Sequence, residues 1–277
     1  MATAPATFVW SRGALVEREL QPHAELLVAD SWLVEATGTV RALDAHRDRF
    51  LDSVAQTADD AATIAAATAF WGAAIGRLKA FPQARLFPRV ELARVEGAAG
   101  PDSAAGLDGT GLELRLRVRL APRPRTSSVV VTRTGDDPRR VPRIKGPDLE
   151  HLIALRGQAQ EDGADEIVLL HHGLVVDGCS AALLWWRGET LVAPSGDLAR
   201  VASVTARSIR LIATATGTRV VEERARPADL EGCELWAVNA LHGISVVEQW
   251  IDGPALAVRP SRAATWRKRL AALSRPL

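Results

Sequence analysis

Along the 277-residue chain the spacing of apolar positions changes several times, and each change marks an element. Between residues 7 and 43 apolar residues come in short runs, "ATFVW", "ELLVADSWLVEA" and "TVRAL", broken by turn residues. These predict strands, with Thr37-Gly38 at a hairpin tip. From Ala45 to Ala80 the period lengthens to three and four residues (Phe50, Val54, Ala58; Ile64, Ala67, Phe70, Trp71, Ile75), which predicts helix. "RLFPRVELARVE" and "LELRLRVRLAP" then alternate apolar with charged residues, as half-buried antiparallel strands do, around a Gly/Asp-rich loop at Gly97 to Gly111.

"APRPRTSS" at 121 to 128 is Pro-rich and polar, and reads as a linker between a domain at 1–121 and another at 122–277. The second half begins with a strand at 129–133, an extended segment ending at Lys145, a helix from Pro147 to Glu161 and the strand "DEIVLL". Strands "GLVVDG", "SAALLWW" and "ETLVAP" follow, with turns at His172-Gly173 and Arg187-Gly188. A helix over Val204 to Ala215 stops at Gly217, which suits a C′ glycine. Strand "RVVEERA", a short helix "PADLEG", strand "ELWAVNA" and a closing hairpin "SVVEQWIDG" complete an α+β pattern.

Composition narrows the function classes. A formal charge of +1 with dispersed arginines argues against nucleic acid or an anionic membrane as partner. No apolar leader and no uninterrupted apolar run of spanning length stands out, so the expectation is a soluble, cytoplasmic protein. Cys179 and Cys233 belong to no zinc or disulfide spacing and read as small buried hydrophobes. His171-His172 is not read as a metal pair, and no metal is expected, because adjacent strand residues face opposite sides. By the same alternation Trp185 and Trp186 divide between core and surface. The basic tail "SRAATWRKRL" reads as a helix docked by Trp266 and Leu270.

Lysine is scarce: three among 34 Lys and Arg residues, so 31 cations are arginine. Lys79 and Lys268 lie among polar or basic neighbours on helices, whereas Lys145 stands before "GP" and a helix. Downstream come the turn Asp177-Gly178, the helix start "SVTARS" and the strand end "VNALHG". In this order the set resembles the class IV, or fold-type IV, pyridoxal-phosphate enzymes: branched-chain and D-amino-acid aminotransferases and 4-amino-4-deoxychorismate lyase. The resemblance covers Arg143 to Gly253, through "GADEIVLLHHGLVVDGCSAALLWWRGETLVAP" and "GTRVVEERARPADLEGCELWAVNALHGISVV". In the first half only "HRDRF", with His46 and Arg49, is similar to the family's His-x-x-Arg-Leu.

The resemblance implies a two-domain fold-type IV architecture, with a small α/β N-terminal domain and a larger C-terminal domain built on a mixed, barrel-like β-sheet with helices. It also implies pyridoxal 5'-phosphate held as an aldimine by Lys145, since only an amine forms that linkage. Asp177 would pair with the pyridine nitrogen and keep the ring an electron sink. Val204 and Thr205 would offer a helix N-terminus to the phosphate, with Arg49 as a fork and Asn239 and Ala240 as further contacts. Several positions depart from the family: Asp177 replaces Glu, "SAA" (Ser180 to Ala182) replaces a Ser-Asn pair, Ala206 replaces an Arg, and the chain has no tyrosine. The implied reaction is transfer of an amino group between an amino acid and a 2-oxo acid by a homodimer. The alternatives are elimination of pyruvate from an aminochorismate-type substrate, and a binding protein on a degenerate scaffold.

Overall fold

The computed structural model describes residues 4–19, 24–58, 60–81, 84–95, 107, 111–133 and 135–277. Apart from Leu107 and Gly111, the loop expected at 97–111 lies outside them. The chain divides into two compact units. The first comprises 1–122, Ile144–Pro147 and Ser274–Leu277; the second comprises Arg123–Arg143 and Asp148–Leu273. Lys145 therefore packs with the first unit.

The first unit is built on an antiparallel sheet of β1 (Ala6–Ser11), β2 (Ala14–Glu17), β3 (Ala24–Ser31), β5 (Arg89–Val95) and β6 (Leu112–Val118), in the order β2-β1-β6-β5-β3. A short strand β4 (Thr39–Arg41) pairs instead with β15 (Ser274–Pro276). The helical stretch expected over 45–80 is two helices, α1 (Leu43–Thr57) and α2 (Ala61–Leu78). The break has a local cause: Asp60 is extended and its carboxylate accepts the Thr63 amide at 2.6 Å, an N-cap that starts a new helix. By length and mean hydropathy (1.2) α2 is long and apolar enough to cross a bilayer. Its Ala67, Phe70, Trp71, Ala74 and Leu78 join Phe50 and Val54 of α1 and Phe8, Val28, Val90, Leu92, Leu114 and Leu116 of the sheet in one core.

The second unit carries an eight-stranded mixed sheet in the order β12-β11-β10-β13-β14-β7-β8-β9. Its strands are β7 (Ser127–Thr132), β8 (Glu166–His171), β9 (Leu174–Gly178), β10 (Ala182–Arg187), β11 (Thr190–Pro194), β12 (Val220–Glu223), β13 (Glu234–Asn239) and β14 (Gly243–Ile251). The sheet curls until β9, at one end of the order, comes back beside β10 and β11. Helices α3 (Leu149–Glu161), α4 (Val204–Ala215) and α5 (Pro260–Ala271) pack against it. Residues 243–251 do not form a hairpin of their own; β14 pairs with β13 through the 239–243 turn and with β7 in parallel.

Both faces of this sheet are covered. Trp185 and Trp186 are therefore both buried, Trp185 among Val168, Val192 and Leu235 and Trp186 among Ile209, Trp236 and Trp266. Cys179 and Cys233 are buried and free, and Trp266 and Leu270 dock α5 as their spacing predicts. His172 leaves the strand at φ 51° and Gly173 follows at φ 77°, a turn that brings the two histidine rings within 4.1 Å instead of splaying them.

Candidate active site

The segment before α3 is turned rather than extended. Asp148, just ahead of the helix, accepts the amides of Arg140 and Val141 at 3.1 and 3.0 Å and so curls the chain back. Lys145 is fixed from the other side: its carbonyl accepts the Ala29 amide of β3 at 2.6 Å. Gly146 makes this approach possible, because a Cβ there, at φ 143°, would lie 2.8 Å from Val28 Cα and 2.9 Å from the Ala29 nitrogen.

Arg49 lies in the same unit, on α1. It grips the fully buried Asp30 of β3 with Nε at 2.7 Å and Nη2 at 2.9 Å, while His46 Nδ1 stands 2.7 Å from the same carboxylate. Burial alone would raise the Asp30 pKa, but Arg49 and His46 more than offset it and hold the carboxyl well below its usual range. His46 is shifted down, first by burial, with the charges of Arg49 and Lys145 adding to it against the pull of Asp30. Asp30, His46, Arg49 and Lys145 thus form one electrostatic group.

The other expected residues belong to the second unit. Asp177 is the penultimate residue of β9, 5 % exposed, and Arg139 Nη1 donates to its Oδ2 at 3.0 Å. The remaining nitrogens of Arg139 clasp Asp137, with Nη2 2.7 Å from Oδ2. Burial pushes Asp177 up to about 6 in spite of Arg139 and the nearby Arg200. Arg139 also moves up, but for the opposite reason: burial would lower it, and the two carboxylates raise it.

Next to Asp177, the Gly178 amide donates to Ala181 O at 2.7 Å, and the following turn is held by the buried Glu166, which accepts the Ser180 amide at 3.2 Å and its hydroxyl. Burial raises the Glu166 pKa. Asn239 Nδ2 donates to Ser180 O at 3.2 Å, and its Oδ1 accepts the His242 amide at 2.8 Å, so this side chain braces two turns at once. Ala240, partly buried, lies in the second of them. On α4, Ser203 caps by accepting the Ala206 amide at 3.2 Å, which leaves the Val204 and Thr205 amides in the first turn, where no intrahelical acceptor exists. Both residues are buried.

Three residues of these groups carry little signal in the sequence. Asp30 is a lone acid in the apolar run "ELLVADS", Arg139 is one of two adjacent arginines, and Glu166 opens a strand. The usable hint was Asp30 itself, since an acid on an apolar strand beside a helix asks for a cationic partner.

A family model described as amino-transferase class IV matches residues 27–250, a span that includes every residue placed above. The chain belongs to the class IV amino-transferase family. Among solved structures, this family member is similar to a fold IV-transaminase from Curtobacterium pusillum, at 18 % identity over 98 % of both chains with a TM-score of 0.75. A hypothetical aminotransferase from Mycobacterium tuberculosis, in its alpha-ketoglutarate and PMP bound form, gives 18 % identity, 96 % and 98 % coverage and 0.74. A branched-chain aminotransferase from Thermoproteus uzoniensis with norvaline gives 18 %, 97 % and 96 %, and 0.75. At such identity these likenesses establish the fold-type IV architecture of this class IV chain. No curated protein matches it in sequence.

Proposed function

We propose that this class IV chain binds pyridoxal 5'-phosphate and transfers an amino group between an amino acid and a 2-oxo acid. The observation that carries the reading is Asp177: a carboxylate buried at a strand end and kept in an ionic contact by Arg139. A buried carboxylate of this kind is what a pyridinium nitrogen requires as its partner. The donor set fits the cofactor in other respects, with an amine on a backbone-pinned segment (Lys145) and a helix start with amides to spare (Val204, Thr205).

When bound, the cofactor supplies an electron sink for the bond electrons at the substrate Cα. In this proposal Lys145 supplies the amine that anchors it and then moves the proton at Cα as general base. Asp177 holds the proton on the ring nitrogen, and Arg139 keeps Asp177 charged and oriented. The α4 amides of Val204 and Thr205 and the Thr205 hydroxyl bind the phosphate. Arg49, tied to Asp30 by Nε and Nη2, contributes positive potential more than a free fork. Asn239 sets the strand-end turn from which the Ala240 backbone meets the phosphate. The protein acts as a soluble, cytoplasmic homodimer.

The test is spectroscopic. Incubating the purified chain with pyridoxal 5'-phosphate gives a visible absorption band that Lys145→Ala abolishes, and adding an amino-acid donor converts the band to that of the amine form. A band that never appears sinks the enzyme reading. Release of pyruvate and 4-aminobenzoate from aminodeoxychorismate, without conversion of the band, decides instead for elimination.

A further inference from the structure

The segment that follows Asp177 crosses a gap in the curled sheet. β9 and β10 are consecutive in the chain but are not neighbours in the strand order, so no ladder between these two strands fixes the residues that connect them. A side chain takes that part. Glu166, 2 % exposed at the start of β8, accepts the Ser180 amide at 3.2 Å with each carboxylate oxygen, the Ser180 hydroxyl with Oε2 and the Ile167 amide with Oε1 at 3.1 Å. The turn closes on it tightly: a Cβ at Gly178 would lie 2.8 Å from Ala181 O and 3.2 Å from Glu166 Cγ. These donors are all neutral, and the Arg156 charge acts on Glu166 only from nearby. Burying a carboxylate in this way costs stability, which points to a role beyond folding.

The hydrogen bonds continue from Ser180. Its carbonyl accepts Asn239 Nδ2 at 3.2 Å, Asn239 Oδ1 accepts the His242 amide at 2.8 Å, and His242 Nδ1 accepts the Arg125 amide at 3.1 Å. The Arg125 side chain then binds Asp165, the residue before Glu166, and Asp165 also accepts the Val129 amide at 3.0 Å. Glu166, Ser180, Asn239, His242, Arg125 and Asp165 thus close a circuit inside the second unit. It joins the turn after Asp177 to the turn that contains Ala240, and both are braced from the start of one strand.

We propose that Glu166 is a positioning residue for the cofactor. By fixing the Ser180 backbone it sets the Asp177 turn and, through Asn239, the Ala240 turn, so that one buried carboxylate keeps the partner of the ring nitrogen and a partner of the phosphate in register. The proposal rests on the cofactor reading above. Glu166 acts through Ser180 and has no part in the chemistry itself.

Two measurements on the full chain test it. In the apo chain, amide hydrogen exchange followed by NMR reports the brace without any cofactor. Glu166→Leu removes the acceptor and speeds exchange at Ser180 and, through Asn239, at His242 by at least about tenfold, while Ile209 within α4 is unchanged. Titration with pyridoxal 5'-phosphate, read from the absorption band, then gives a Kd at least about tenfold weaker for Glu166→Leu. Glu166→Gln stays within about threefold of the parent chain, because its oxygen still accepts the Ser180 amide and its nitrogen can donate to the hydroxyl. That split separates positioning from packing: a purely structural residue would lower the melting temperature and leave the affinity of the folded chain unmoved. Unaltered cofactor affinity in folded Glu166→Leu, or His242 exchange that does not respond, overturns the proposal. A parent chain with coupled exchange but no cofactor band would instead keep the brace and discard the cofactor reading. If Glu166→Leu does not fold, Glu166→Asp, which draws the carboxylate back by one methylene, carries the same expectation.

Discussion

Arg139 divides its nitrogens between Asp137 and Asp177, and so tempers the rise that burial imposes on the Asp177 pKa. Asp177 sits at about 6 against 3.8 for the free carboxyl, so the folded chain holds this proton more tightly than the unfolded one does. The stability so gained is complete below 3.8 and is lost as pH rises through about 6. At neutral pH the ionised residue costs the fold roughly 3 kcal/mol, which a pyridinium paired with it, as proposed above, would recover. We expect transfer activity to fall on the acid side with a midpoint below about 6, because a paired pyridinium favours the carboxylate. Arg139→Gln removes a cation that favours the carboxylate and moves the midpoint upward. A pH profile of kcat/KM checks both, and a midpoint unmoved by Arg139→Gln would detach Asp177 from the reaction. In the apo chain at pH 8, Asp177→Asn removes the ionised carboxylate, so the melting temperature holds or rises while transfer drops by at least about tenfold. Lys145 and Asp177 could be singled out as candidates in the sequence because each sits against a glycine that punctuates the chain. Arg139 and Asp30 were not, because their partners lie 38 and 19 positions away, a distance no local pattern encodes.

The elements were legible where one period persisted and illegible where a cap interrupted it. Apolar spacing ran unbroken from Ala45 to Ala80, yet Asp60 divides the stretch into α1 and α2 with a single hydrogen bond. Asp60→Ala should lower unfolding stability by about 1 kcal/mol, read from denaturant titration, because only one amide loses its acceptor. The paired tryptophans failed for another reason: alternation predicts two faces but not whether both are covered, and in the β7–β14 sheet both are. At the β3 edge, Gly146→Ala puts a methyl against Val28 Cα, where the neighbouring atoms are backbone and cannot swing aside. The Lys145 carbonyl then leaves Ala29. We expect a lower melting temperature and a weakened cofactor band, whereas Gly188→Ala, a turn glycine with open space around it, should leave the band intact.

Across the whole molecule, the order of elements along the chain does not coincide with the two compact units. The sequence suggested one boundary near residue 121, but Ile144–Pro147 and Ser274–Leu277 also pack with the first unit. Neither return has a compositional signature, since four residues are too few to carry a periodic pattern. Removing Ser274–Leu277 takes away the antiparallel partner of β4 and the hydrogen bond from the Leu277 amide to Gly38 O at 2.9 Å. The cost falls on the first unit, and a loss of about 1–3 kcal/mol, or roughly 2–4 °C of melting temperature per kcal/mol, is expected in a thermal scan. The same pairing constrains biosynthesis. Domains ordinarily fold in the order in which they leave the ribosome. Here β4 must wait for a partner that begins 233 positions later (274 − 41), so the first unit reaches its final form only after the second has been translated.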